Sequence, residues 1–212
     1  MKNITNIALS LCLVVIAAVA ANAQAITTGT VDFSVSVPNA FDIRSNGTAT
    51  TSMGMSATAQ TANNQLGITL TVADASPNVN NATLTANVPI RLRSNTAYQL
   101  LATRSGSSTA NAQDFDSSDI GMYINSFVRS GAQVAAGTDT PAGGWGAPGN
   151  NVAMLSGVGT QIVAGQRISN QGDNLSTNNY STASLNFSIA RQYYTPTVSP
   201  FLETVTVAIA AP

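Results

Sequence analysis

The sequence has no histidine, and its only cysteine and only lysine, Cys12 and Lys2, lie near its start. Without these three side chains the rest of the chain has no ordinary catalytic triad, no thiolate nucleophile and no Schiff-base lysine. It also has no disulfide, although an exported chain could form one. We therefore expect stability to come from a hydrophobic core, no cofactor, and no enzyme activity.

Charged side chains are scarce as well. They make up 8% of the chain, where about 25% is usual for a soluble domain. Apart from Lys2, the cationic residues are seven arginines scattered along the sequence, against nine acids. Nucleic acid and anionic membranes need clustered positive charge, so this distribution argues against both as partners. Disorder is a poor explanation, because the chain combines 44% hydrophobic residues with a net charge of only −1.

The N-terminus resembles a bacterial secretory signal. Lys2 supplies a positive start, residues 7–21 are mostly apolar, and small residues occupy the positions before a cleavage point at Ala23. The apolar run has about 15 residues, short of the ~20 that span a bilayer. We predict a signal peptide over residues 1–23 and a single domain over 24–212, without a membrane span after cleavage. The expected location is secreted, periplasmic or at the cell surface; an uncleaved anchor is the alternative.

Apolar residues on alternate positions recur along the chain, which is typical of half-buried strands. The pattern marks runs at residues 31–37, 66–72, 84–92, 98–100, 122–128, 161–168, 185–189 and 205–209. No window shows a helical apolar stripe, and turn residues separate the runs. The fold class predicted is therefore all-β, an antiparallel sandwich, with an outer-membrane barrel as the alternative. The Ser94–Asn95 turn predicts a hairpin between the third and fourth runs, and Pro89 predicts a bend or bulge.

The densest acidic cluster contains Asp114, Asp116 and Asp119. Two carboxyl groups can hydrolyse a glycosidic bond, so a small glycosidase is one hypothesis. Carboxylates also bind calcium, but Asp119 stands where a helix-loop-helix calcium loop needs glycine. These three residues are thus a weak metal candidate, and a solvated turn is the alternative.

Loop aromatics offer a different kind of site. Trp145 lies among glycines and prolines, and Tyr193 and Tyr194 lie in a second proline-containing loop. Aromatic rings can stack on sugars, which makes these three residues ligand candidates for a secreted carbohydrate-binding module. The alternative for Trp145 is that its ring folds back and plugs one end of the sandwich.

Strands at both ends of the exported chain are candidates for pairing with another subunit. Exposed strand edges accept strands from other chains. The alternative is that both terminal strands pair within their own domain. The strand-pairing candidates are Val31, Phe33, Val35, Val37, Val205, Val207 and Ile209.

Several segments resemble the spore coat protein U and archaic chaperone-usher pilin group of secreted Ig-like sandwiches. They are "VPIRLRSNTAYQLLATRSG", "IGMYINSFV", a Gly-Trp-Gly loop and the closing "FLETVTVAIA". The resemblance implies a surface-fibre or coat subunit without catalytic residues. It also implies assembly with itself or related subunits through terminal strands, and a periplasmic chaperone as a further partner. We therefore expect a non-enzymatic, exported structural or adhesive surface subunit.

Overall fold

Extended strands dominate the structure, a computed structural model that describes residues 37–75, 83–108, 115–132, 134–170, 179–191 and 200–212. The strands are β1 (Phe41–Ser45), β2 (Thr50–Thr51), β3 (Met55–Ala62), β4 (Gln65–Val72), β5 (Thr83–Ser94), β6 (Tyr98–Ser108), β7 (Ile120–Ser130), β8 (Asp139–Pro141), β9 (Thr160–Gly165), β10 (Tyr180–Ala190) and β11 (Phe201–Ala210). Two short 3-10 helices span Ser117–Asp119 and Val152–Met154.

The strands form two sheets in which every pairing is antiparallel. The first sheet has the order β1-β5-β10-β7, and β2 also pairs with β5. The second sheet has the order β3-β4-β11-β6-β9-β8. The prediction of an all-β, antiparallel sandwich is confirmed.

The core lies between the two sheets and follows from the alternation in the sequence. In β4 and β5 the apolar residues point inward on every second position, and the polar residues between them face outward. The inward set of β4 consists of Leu66, Ile68, Leu70 and Val72, all buried. Successive strand side chains point to opposite faces, so a period of two in the sequence becomes one apolar face.

The predicted hairpin between β5 and β6 is wrong, because these strands belong to different sheets. The turn at Ser94 and Asn95 carries the chain across the sandwich. Ser94 Oγ donates to the Thr96 carbonyl at 2.5 Å, and Asn95 Nδ2 donates to the Pro38 carbonyl at 3.0 Å. A polar turn gives the place of a reversal but does not decide which sheet receives the next strand.

Pro89 of β5 lies opposite the interruption between the neighbouring strands β1 and β2. On one side Pro89 pairs with Ser184 of β10 without a register shift. On its other side lies the segment that connects β1 to β2, where Asn46 N donates to the Pro89 carbonyl at 2.8 Å. Since proline has no N–H, the gap between β1 and β2 leaves no missing ladder bond at this position.

Within the described ranges, the chain contains no helix of sufficient length and hydrophobicity to span a bilayer.

Candidate functional site

The C-terminal strand β11 completes its own sheet. It pairs with β4 along one edge and with β6 along the other. Val205, Val207 and Ile209 point into the core and are buried. Both edges of this strand are therefore occupied within the chain. At the N-terminus, Val37 is described and is 76% exposed; the other candidates there, Val31, Phe33 and Val35, lie outside the described residues.

Two of the three clustered aspartates organise the first 3-10 helix. Asp116 accepts hydrogen bonds from Ser118 N at 2.7 Å and from Ser118 Oγ at 2.5 Å. Asp119 Oδ2 in turn accepts from Asp116 N at 2.8 Å, which completes a capping box. The bonds from Ser118 lower the pKa of Asp116. Asp114 lies outside the described residues.

These capping bonds bear on the calcium hypothesis. Asp116 and Asp119 each hold a backbone N–H of the helical turn, so their carboxylates are engaged locally. In the part of the chain that the structure describes, no three acidic side chains lie close enough together to hold a metal ion.

Trp145 is buried, with 4% of its surface exposed. Gly143 and Gly144 adopt φ values of +54° and +82°, a conformation that favours glycine, and they turn the loop so that the indole ring enters the core. The ring thus takes the plugging position and leaves no free face for a sugar. Tyr193 and Tyr194 lie outside the described residues.

The same loop covers one edge of the first sheet. Ile124 N donates to the Trp145 carbonyl at 2.7 Å, and Met122 N donates to the Asn150 carbonyl at 2.9 Å. Unpaired edge strands can recruit other chains. The loop therefore closes the first half of the β7 edge, where strand addition would otherwise be possible.

A buried ion pair that the sequence did not indicate joins the two sheets. The guanidinium group of Arg129 in β7 makes a bidentate interaction with the carboxylate of Asp139 in β8, with Nη2–Oδ1 at 2.6 Å and Nε–Oδ2 at 3.1 Å. Asp139 also accepts from Tyr98 Oη at 2.9 Å and from Ser181 Oγ at 2.7 Å. These four donors come from strands of both sheets, so the carboxylate links the sheets directly.

Arg129 uses its remaining donors on backbone carbonyls. Nη1 donates to Ala135 O at 3.0 Å and to Arg167 O at 2.7 Å, and Nη2 donates to Gln166 O at 2.9 Å. A guanidinium group has five N–H donors, and all five have partners. The pKa of Tyr98, beside this pair, is raised well above its usual value. The largest cause is burial, followed by the negative charge of Asp139 and the hydrogen bond to it, while the charge of Arg129 opposes the shift.

A second buried acid, Glu203, lies on the inward face of β11 and is fully buried. Ser117 Oγ donates a short hydrogen bond to Glu203 Oε2, and Arg104 Nη1 donates to the same Ser117 Oγ at 2.9 Å. Glu203 Oε1 has no hydrogen-bond partner within the part of the chain that the structure describes. Arg104 therefore reaches this carboxylate only through the serine hydroxyl.

The fold also gathers three of the scattered arginines. Arg44 of β1 pairs across the strands with Arg91 of β5, and Asp42 pairs with Arg93. All four side chains lie on the outward face of the first sheet, because they alternate with buried residues. The signal in the sequence was the spacing of Arg91 and Arg93, two positions apart on one strand face; the approach of Arg44 required the strand pairing.

Comparisons with known proteins returned no family model, no curated protein and no solved structure that matches this chain.

Proposed function

We infer that the protein is a non-enzymatic, exported structural or adhesive surface subunit that associates with other subunits by strand addition. The enclosure of β11 carries this proposal. Both edges of the C-terminal strand are occupied, so the N-terminal segment, which apart from Val37 lies outside the described residues, is the other terminal candidate for pairing. Its residues Val31, Phe33, Val35 and Val37 alternate with polar residues, as a strand requires when one face is to be buried.

The edge strand β3 supports the proposal as the acceptor. Within the described residues β3 pairs with β4 only, so its other edge has no strand partner. Its sequence, MSATAQTA, has no charge and no proline. Native proteins usually protect long edges with lysine, proline or a bulge, because an open edge recruits other strands. An eight-residue edge with none of the protective residues suits main-chain pairing with an extended segment.

The buried ionisable groups agree with a role in contact and not in turnover. Asp139 and Arg129 have every hydrogen-bonding position occupied by the fold. Glu203 has one hydroxyl partner and lies in the core without exposure. Among the described residues neither acid is paired with a second carboxyl group, as glycoside hydrolysis by two carboxylates needs.

Association of the exported chain, residues 24–212, tests the proposal. Analytical ultracentrifugation and electron microscopy should show concentration-dependent oligomers. Phe33→Asp places a charge on the apolar face of the N-terminal segment and should leave monomers. The matched control is Ser34→Asp, which places the same charge on the polar face and should still associate. Monomers at every concentration, or equal association of the two variants, would refute assembly through this segment.

A further inference from the structure

The outward face of the first sheet carries its charge at one end. Arg44, Arg91 and Arg93 lie there beside one acid, Asp42. Neighbouring strands are about 4.8 Å apart and alternate residues of one strand about 7 Å apart, so the three arginines fall within one small patch. We call these four residues the arginine patch. It holds three of the seven arginines of the chain.

Two of these arginines face each other without a counter-charge between them. Arg44 and Arg91 are direct cross-strand partners, and like charges in this arrangement destabilise a sheet. Arg44 Nε pairs with Asp42 Oδ1 at 2.9 Å, on its own strand. The one acid of the patch therefore neutralises Arg44, and among the described residues no acid forms an ion pair with Arg91.

Arg91 has an unfinished set of hydrogen bonds. Its Nε is buried and has no hydrogen-bond partner among the described residues, and an unpaired buried N–H costs free energy. The guanidinium carbon lies 6.0 Å from the centre of the Tyr180 ring, a distance at which a cation and a ring attract each other. An aromatic ring thus lies beside the Arg91 cation.

Further along the same face, the polar groups satisfy each other. Asn87 Nδ2 donates to Asn186 Oδ1 at 2.8 Å, and Asn186 Nδ2 donates to Asn125 Oδ1 at 3.1 Å. This row of amides crosses β5, β10 and β7. The amides described on this face thus have partners within the chain, unlike the Arg91 Nε atom.

A cavity adjoins the patch. It has a volume of about 240 Å³, and its lining includes Phe41, Asp42, Arg93, Asn95 and Asn170. Pockets for drug-sized ligands are usually about 300–1,000 Å³. The cavity is therefore suited to a single ring of a longer molecule, with an aromatic side chain, amides and a guanidinium around it.

We propose that the arginine patch binds a polysaccharide that carries carboxylate groups. A carboxylate fits the planar fork of arginine and supplies the missing counter-charge. The aromatic ring of Tyr180 suits the apolar face of a sugar. Three arginines and one acid are too few to favour nucleic acid, which needs many phosphate contacts. Binding at this patch does not depend on strand addition.

Calorimetric titration of the exported chain with polygalacturonate fragments at low ionic strength tests the proposal. We expect binding that weakens with added salt and that is lost with fully methyl-esterified fragments, which have the same sugars without charge. Arg91→Gln should weaken binding about tenfold or more, as the loss of a charge-assisted hydrogen bond predicts. Arg44→Gln should also weaken binding.

The matched control is Arg191→Gln, which removes the same charge about 30 Å away along β10 and should bind normally. Thermal unfolding should show that Arg91→Gln folds as stably as the unchanged chain, since it removes a like-charge pair. Phe33→Asp should bind polygalacturonate normally, which separates this proposal from the one on assembly. Equal affinity for charged and esterified fragments, unchanged affinity in Arg91→Gln, or binding only to anionic phospholipid vesicles would overturn the proposal.

Discussion

Asp139 and Glu203 are both buried acids in the same sandwich, yet their surroundings differ. Asp139 accepts four hydrogen bonds, two of them from the guanidinium of Arg129. Glu203 accepts one short hydrogen bond from Ser117, and its second oxygen has no partner among the residues that the structure describes. Both oxygens of the Asp139 carboxylate thus accept hydrogen bonds, whereas only one oxygen of Glu203 does.

The difference lies in what each site connects. The donors to Asp139 come from β6, β7 and β10, so that breaking the site loosens both sheets at once. Glu203 interacts through a serine of a short 3-10 helix. A buried charge with a complete set of partners is costly to disturb, because removing one partner leaves the other charged and buried. Replacing a carboxylate that has only one hydrogen-bond partner removes fewer stabilising interactions.

The largest effect is expected from Asp139→Asn. The change removes the counter-charge of Arg129, whose side chain is only 11% exposed, and should lower the free energy of unfolding by about 3–5 kcal/mol. Urea unfolding measures it. Asp42→Asn breaks the exposed pair with Arg44 and serves as the control, with a loss below about 1 kcal/mol. Similar losses in the two variants would contradict the claim that the buried Asp139–Arg129 pair contributes more to stability than the exposed Asp42–Arg44 pair.

An intermediate effect is expected at high pH from Tyr98. Its pKa is raised in the folded state, mainly by burial, so its stabilising contribution is complete below the unfolded pKa of about 10 and declines above it. The free energy of unfolding should fall by up to about 1.4 kcal/mol for each pH unit above 10. Unfolding titrations between pH 9 and pH 11, values set by that pKa of about 10, should show this slope vanish in Tyr98→Phe and persist in Tyr123→Phe. A slope that survives in Tyr98→Phe contradicts the assignment.

The smallest effect is expected from Glu203→Gln, the same chemical change as at Asp139. The glutamine oxygen still accepts from Ser117, while the buried charge disappears. Replacement of poorly compensated buried charge is often neutral or stabilising, so we expect a change within about 1 kcal/mol in either direction by urea unfolding. A loss as large as that of Asp139→Asn would show that the two acids are equivalent.

Much of the sandwich could be predicted from the sequence, because its central strands bury one face. Alternation located β4, β5, β10 and β11 directly. It did not locate β3, whose inward positions after Met55 are alanines, since small residues give little contrast between the two faces. It also could not assign strands to sheets, and for that reason the hairpin between β5 and β6 was predicted wrongly.

Less of the candidate sites could be predicted. Trp145 was recognised as either a ligand or a plug, and only the turn at Gly143 and Gly144 decides its direction. Arg129 and Asp139 lie close in sequence, but a charged pair in a polar stretch is usually a surface feature. Nothing local reveals that side chains of two other strands, β6 and β10, complete the site. The arginine patch likewise depends on the register between β1 and β5.

The position of β11 has a consequence for the speed of folding. Its partner Val72 lies 129 residues before Phe201 (201 − 72), and Leu100 lies 109 residues before Ile209 (209 − 100). Contacts so distant along the chain require the closure of long loops, which costs entropy before the contacts can stabilise the fold. All-β topologies of this kind fold in milliseconds to seconds. The edges of β4 and β6 that β11 will occupy therefore stay unpaired for that interval.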